Sequence, residues 1–282
     1  MKLLRRVLLA ILFLTVLISS LQAANLILSK SRRQSKSEGR VEKQEQPIQF
    51  AVMGDIHSDW ENFRKALEKA KEEMGDKGLV VVVGDLTTIG KKNELLEAKK
   101  ILNESGLKYF VIPGNHDIWW GRKLKQDVWG EVFGKSFQSF LAEGVKFILL
   151  NNADGARGFD FYKENGVGQM AWVEKETADC PQRVCLVFLH MPLNHPSSLH
   201  IMGEESLAVA SEAARLKEIF KKNKVREIFA GHLHFSSQCE LEGLETTVVG
   251  AITRERNFQS PKFLQVFMEG KERVKKEVFV GN

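Results

Sequence analysis

Residues 48–57 read IQFAVMGDIH, an apolar run that stops at a glycine and is followed at once by a carboxylate and, two residues on, an imidazole. The same grammar returns three times: LVVVV before GDLTTIG (79–90), KYFVIP before GNHD (108–117) and EIFA before GHLH (227–234). A short unbroken apolar run bounded by turn residues is the pattern of a buried strand. The clusters therefore sit where strands leave a sheet, the place at which α/β folds gather their functional groups.

Asp55 to Asp85 and Asp85 to Asn115 are each 30 residues, about one strand, helix and return strand. The intervening DWENFRKALEKAKEEM (59–74) and KKNELLEAKKILNES (91–105) read as amphipathic helices, the second stopped by Gly106 in a C-terminal capping position. The domain thus opens with two βαβ units, and parallel strands bring Asp55, Asp85 and Asn115 side by side.

Further along, IWWGRKLKQDVWGEVFG (118–134) reads as a loop, VKFILL (145–150) as a strand and GQMAWVEKETAD (168–179) as a helix. The strand RVCLVFLH (183–190) delivers His190 to another strand end, and MPLNHPSSLHIMGEE (191–205) is a second loop. A helix follows in ESLAVASEAARLKEIFKKN (205–223). After GHLH, the segments FSSQCEL, LETTVVG, FLQVFM and RVKKEVFV alternate and read as an antiparallel meander.

The chain has 282 residues and a formal charge of +5, with a pI near 9. Residues 1–47 hold 9 of its 41 Lys and Arg and only 3 of its 36 acids, so the remainder carries 32 bases against 33 acids, a charge of −1. The basic character belongs to the N-terminal tail, and specific nucleic-acid binding is not expected of the domain. Residues 7–29 carry no charge, with Lys2, Arg5 and Arg6 before them and small polar residues from Ser19. That is the shape of a signal peptide cut at Ala23 or Ala24, or of an uncleaved membrane anchor. The expected organisation is a signal peptide or anchor over 1–28, a disordered basic tether over 29–47, and one domain over 48–282. An extracytoplasmic location follows, with a membrane contact if the leader stays. Cys180 and Cys185 bracket a short PQRV turn and are either a bridge in an oxidising compartment or two separate thiols. Cys239 reads as a small apolar packing residue.

Asp and His side chains at i and i+2, as in GDIH and GHLH, share one face of an extended strand. Oxygen and imidazole donors without thiolate suit catalytic divalent ions such as Mn, Fe, Zn or Co better than a structural zinc. Two such ions against two carboxylates leave a positive site, for which an anionic phosphate is a natural guest.

The ordered set DxH, GDxxxxG, GNHD, H, GHxH resembles the calcineurin-like metallophosphoesterases across essentially all of 48–282. That resemblance implies a four-layer α/β/β/α sandwich and two divalent metal ions. Asp55, His57, Asp85 and His234 would hold one, and Asp85, Asn115, His190 and His232 the other, with Asp85 as the bridge. It implies hydrolysis of a small phosphorylated substrate by a hydroxide shared between the metals. His116 would protonate the leaving oxygen, and Asp117 beside it would orient the ring. Asn115, Trp119 and His195 are the expected substrate contacts. Thr88 stands where purple acid phosphatases carry a Tyr, and GDLTTIG with GNHD differs from the GDYVDRG and GNHE of protein Ser/Thr phosphatases. The pattern is similar to small bacterial phosphodiesterases of the class III cyclic nucleotide type. The alternatives are a phosphomonoesterase or pyrophosphatase of the same family, or a membrane-tethered binding module without activity.

Overall fold

The computed structural model describes residues 47–281, so the expected leader and nearly all of the expected tether lie outside the described residues. Among those residues no helix is long and apolar enough to cross a membrane.

The two βαβ units form as the spacing predicts: β1 (Ile48–Met53), α1 (Trp60–Met74), β2 (Leu79–Val83), α2 (Lys92–Ser105) and β3 (Lys108–Ile112). The three strands are parallel, with Phe50 opposite Leu79 and Leu79 opposite Lys108. Asp59 caps α1 by accepting from the backbone N–H of Asn62, and Gly106 ends α2 in the left-handed conformation at φ 70°. The chain continues through α3 (Asn115–Leu124), α4 (Val128–Phe133), β4 (Gln138–Ala142), β5 (Val145–Leu149), a two-residue-per-strand hairpin β6–β7 (Lys163–Glu164, Val167–Gly168), α5 (Gln169–Glu176) and β8 (Cys185–Phe188). It closes with α6 (Ala210–Lys222), β9 (Glu227–Ala230), β10 (Ser237–Leu241), β11 (Leu244–Val248), β12 (Lys262–Glu269) and β13 (Glu272–Phe279).

Two main sheets result, ordered β13-β12-β1-β2-β3 and β10-β11-β9-β8-β5-β4. Their facing surfaces interlock through one buried cluster: Phe50, Val52, Val81 and Val83 from the first sheet meet Phe147, Phe188 and Phe229 from the second. Phe50 stands edge-on to Phe147 with ring centres 5.0 Å apart, while Phe147, Phe188 and Phe229 stack in series at 5.4 and 5.1 Å. The opposite side chains of the same strands, such as Met53, Val80 and Val82, pack beneath α1, α2 and α4. On the outer face of the second sheet, Val187 and Ile228 pack beneath α5 and α6. Central strands buried on both faces explain the unbroken apolar runs, and the layers are α/β/β/α as the resemblance implies.

Two expectations are corrected. The C-terminal strands are not one meander: β11 pairs antiparallel with β10 but parallel with β9 in the second sheet. The β12–β13 hairpin crosses to the first sheet, where β12 pairs antiparallel with β1. Strand alternation fixes which side chains face inward but not which sheet a hairpin joins. Residues 118–134, read as a loop, instead carry most of α3 and all of α4. Cys180 and Cys185 are bridged, with Cα atoms 5.4 Å apart, and Cys239 is free.

Candidate metal centre

Three strands end two residues before the expected ligands: β1 at Met53, β2 at Val83 and β9 at Ala230. Asp55, His57, Asp85, His232 and His234 all have left-handed backbones, with φ between 47° and 72°. Non-glycine residues held there cost about 1–3 kcal/mol each and cluster at functional sites. The i and i+2 side chains of GDIH and GHLH therefore converge through tight turns beyond the strands, and not through strand alternation as the sequence suggested. Close approach of backbone explains the flanking glycines best at Gly84 and Gly114. Gly84 has φ +93°, and a Cβ there would lie 2.6 Å from Nδ1 of His190; a Cβ on Gly114 would collide with the carboxylate of Asp85.

The structure gathers Asp55, His57 and His234 in one group and Asp85, His190 and His232 in another, the potential donor atoms of each lying within 4.8 Å of one another. Asp85 stands between them: its Oδ2 is 3.5 Å from Nε2 of His57 and 3.3 Å from Nε2 of His190. Asn115, at the start of α3, places Oδ1 3.0 Å from the same His190 nitrogen. The carboxylate of Asp55 accepts from the backbone N–H of His232, which ties the end of β1 to that of β9, and the carboxylate of Asp85 accepts from the N–H of His116, which ties the end of β2 to the start of α3.

The outward nitrogen of each of three cluster histidines faces an acceptor. Nδ1 of His190 donates to the carbonyl of Val83 (2.9 Å), Nδ1 of His234 to that of Glu255 (3.3 Å), and Nε2 of His232 to the carboxylate of Glu205 (2.7 Å). Carbonyl and carboxylate oxygens only accept, so these outward ring nitrogens carry hydrogens, and whenever the rings are neutral the inward nitrogens present lone pairs. The inward Nε2 of His234 then faces Nε2 of His57 at 3.0 Å, and the inward Nδ1 of His232 faces Nε2 of His190 at 3.2 Å. Ring nitrogens crowded against one another beside two buried carboxylates are what a pair of divalent cations satisfies, and the donor set of oxygen and imidazole fits Mn, Fe, Zn or Co.

Electrostatics without a cation shows the same tension. Burial pushes Asp55 up to about 7 and His57 down to about 3. Burial is the strongest single influence on His190 and acts against its charge, but Asp85, Asp55 and the Val83 carbonyl together outweigh it and raise His190 to about 9. In return, His190, followed by His57 and His116, holds Asp85 well below the usual carboxylate range despite its burial. Divalent charge would favour ionised Asp55 and neutral His190 together.

His116 lies against the cluster, its ring 4.5 Å from that of His57 and nearly perpendicular to it. Its Nδ1 donates to the carbonyl of Thr88 at 2.6 Å. The expectation that Asp117 orients this ring is corrected. The fully buried Asp117 carboxylate instead accepts from the backbone N–H groups of Leu86, Thr87 and Gly114 and from the hydroxyl of Thr87. It stitches the Asp85 loop to the start of α3, and Thr88 of that loop holds the ring. Burial, then the nearby Asp85, raises Asp117 to about 6.

Among the described residues no hydrogen bond or ring contact joins Trp119 or His195 to the cluster. Trp119 is half-exposed near Trp120 and Lys123, and His195 pairs through Nε2 with the hydroxyl of Ser237. Sequence reasoning missed Glu205, the second of two adjacent glutamates at the end of a long loop, with no ligand motif around it to mark it. It also missed a groove of about 250 Å³ beside the cluster, lined by Asn115, Glu205, Arg122 and Met191 among others. A larger cavity of about 950 Å³ lies behind α3 with Arg122, Trp129, Arg157 and Tyr162 on its walls, and holds none of the inward donor atoms.

Comparison with known proteins agrees with this geometry. A family model described as calcineurin-like phosphoesterase matches residues 48–236. The chain is 28% identical over 174 residues to a Fibrobacter succinogenes protein named a probable cyclic nucleotide phosphodiesterase, a match covering 61% of this chain and 63% of that protein. It is 24% identical over 176 residues to the 3',5'-cyclic adenosine monophosphate phosphodiesterase CpdA of Escherichia coli K12, covering 62% and 61%. The chain thus spans less than two thirds of the length of these curated relatives. Its fold is similar to that of the purple acid phosphatase PPD1 of yellow lupin, with a TM-score of 0.61 at 13% identity over 83% of this chain and 52% of that one.

Proposed function

This chain belongs to the calcineurin-like phosphoesterase family, and from that membership we propose that it is a dinuclear metal-dependent hydrolase of a small phosphodiester, a cyclic nucleotide among the candidates. The observation that carries the reading is the set of inward ring nitrogens: His190, His232 and His234 each have one nitrogen tied outward, leaving the other to converge on Asp55, Asp85 and His57. Divalent ions bound there would supply Lewis acidity and lower the pKa of a water toward neutrality.

The chain's own residues divide the remaining work. Asp55, His57 and His234 would hold one ion and Asn115, His190 and His232 the other, with Asp85 shared, as its contacts to both His57 and His190 support. The hydrogen bond from Nδ1 to Thr88 leaves Nε2 of His116 as the atom that takes up and releases a proton. It gives that proton to the departing ester oxygen as the P–O bond breaks. Asp117 keeps Thr88 and His116 in register through the loop. Because a hydroxide held by the two ions would be the nucleophile, no side-chain nucleophile is required and the reading predicts no phosphoenzyme. A diester is favoured by the names of the relatives. The Cys180–Cys185 bridge supports the extracytoplasmic placement read from the leader.

The test is hydrolysis of bis(p-nitrophenyl) phosphate and p-nitrophenyl phosphate by the full chain reconstituted with Mn²⁺, beside a His116→Ala control. Faster turnover of the diester, lost in the control, is expected. Preference for the monoester would overturn the diester assignment, and no turnover with two ions bound would overturn the catalytic reading.

A further inference from the structure

The outward anchors of the cluster histidines differ in kind. Val83 and Glu255 hold His190 and His234 through backbone carbonyls, whereas His232 is held by a side chain, Glu205. Glu205 sits far from His232 in sequence, on the loop between β8 and α6, and that loop is pinned locally. Ser206 donates to the carbonyl of Gly155 at 2.6 Å, Met202 N–H to that of Pro192 at 2.9 Å, and Glu205 N–H to that of Ile201 at 3.1 Å. The carboxylate is therefore delivered to the ring by a fixed backbone, although its side chain is 41% exposed.

Imidazole is neutral with one hydrogen, and the carboxylate compels that hydrogen onto Nε2. The lone pair is left on Nδ1, which points at His190 and lies with Asp85 in one donor group. Without Glu205 the ring is free to take the other tautomer, which puts N–H where a donor is needed, or to turn toward solvent. A carboxylate behind a ligating histidine both orients the ring and raises its basicity.

We propose that Glu205 is a positioning residue that sets the tautomer of His232 and so completes the Asp85–Asn115–His190 half of the centre, an inference that rests on the dinuclear reading above. Its effect is confined to one of the two ions, because the Asp55–His57–His234 half makes no contact with Glu205 among the described hydrogen bonds.

The experiment measures Zn²⁺ binding to the full chain by equilibrium dialysis for wild type, Glu205→Ala and Glu205→Gln, together with ¹⁵N resonances of the histidine rings in the Zn²⁺-loaded proteins. Wild type is expected to bind two ions and to show His232 as the Nε2–H tautomer. Glu205→Ala should weaken one ion about 10- to 100-fold, leave the other unchanged, and disturb the His232 resonances alone among the rings. Glu205→Gln, whose amide oxygen still accepts from Nε2–H, should fall between the two. Circular dichroism of each variant controls for folding. Two ions bound by Glu205→Ala as tightly as by wild type, with His232 unchanged, would overturn the assignment of Glu205 alone. A wild type that binds fewer than two ions would overturn the dinuclear reading and this proposal with it.

Discussion

His116 and Asp117 are neighbours in GNHD, yet they do different work. In the first turn of a helix successive side chains point about 100° apart, so the motif sends His116 toward His57 and buries Asp117 under the loop of Asp85. His116→Ala is expected to lower turnover by about 10²- to 10⁴-fold, the range for one general acid, while leaving the metal content intact; activity and metal analysis on the same preparation check both halves. At this scale much was legible. Residue type, order and a preceding apolar run singled out Asp55, His57, Asp85, Asn115, His190, His232 and His234, and the structure places them together. The anchors behind them were hidden. Thr88, Val83 and Glu255 act through backbone carbonyls, which carry no residue signature, and Glu205 meets His232 only through folding of a distant loop.

The element that gives the centre its stiffness is the junction between the 84–90 loop and the start of α3. Asp117 fills it, satisfying three backbone donors that are otherwise buried. Asp117→Ala leaves those N–H groups without acceptors and is expected to cost about 3 kcal/mol or more, read as a lower urea midpoint with unchanged slope. Turnover should fall as well, because Thr88 loses its register with His116. The βαβ elements were readable because LVVVV and the amphipathic helices carry strong periodicities of opposite kinds. By contrast α3 begins inside a ligand motif and contains Gly121, and β4 is an edge strand with partly exposed Gln138, Ser139 and Phe140, so neither shows a clean period.

On the scale of the whole molecule, the two sheets are joined by the aromatic core and also by charge. Glu227 on β9, fully buried, and Glu245 on β11 of one sheet face Arg273 and Lys275 on β13 of the other. Lys275 reaches Glu227 at 2.7 Å and Glu245 at 3.2 Å, and Nε of Arg273 reaches Glu227 at 2.8 Å. Lys275→Ala should destabilise by about 3 kcal/mol, the low end for a broken buried pair, since Arg273 still holds Glu227. Burial opposes ionisation of Glu245, but Arg273 and then Lys275 prevail and depress it below its ordinary 4.5. A depressed carboxylate stabilises the fold above its unfolded value and loses that contribution as pH falls through its folded value. Unfolding midpoints should therefore drop below about pH 4.5, and less steeply in Lys275→Ala; an identical slope would remove Glu245 from the acid response. This cross-sheet quartet was invisible in the sequence for the same reason as the divided meander: the β12–β13 hairpin could be seen, but not the sheet it would join. At the centre of the proposed chemistry are two ions that would share Asp85. Its most direct test is equilibrium dialysis of Mn²⁺ against wild type and Asp85→Asn, with diester turnover measured at each occupancy. Two ions per wild-type chain are predicted, with turnover rising as the second binds, and at most one ion with no turnover in a folded Asp85→Asn; full turnover by that variant, or by metal-stripped protein in chelator, would contradict it.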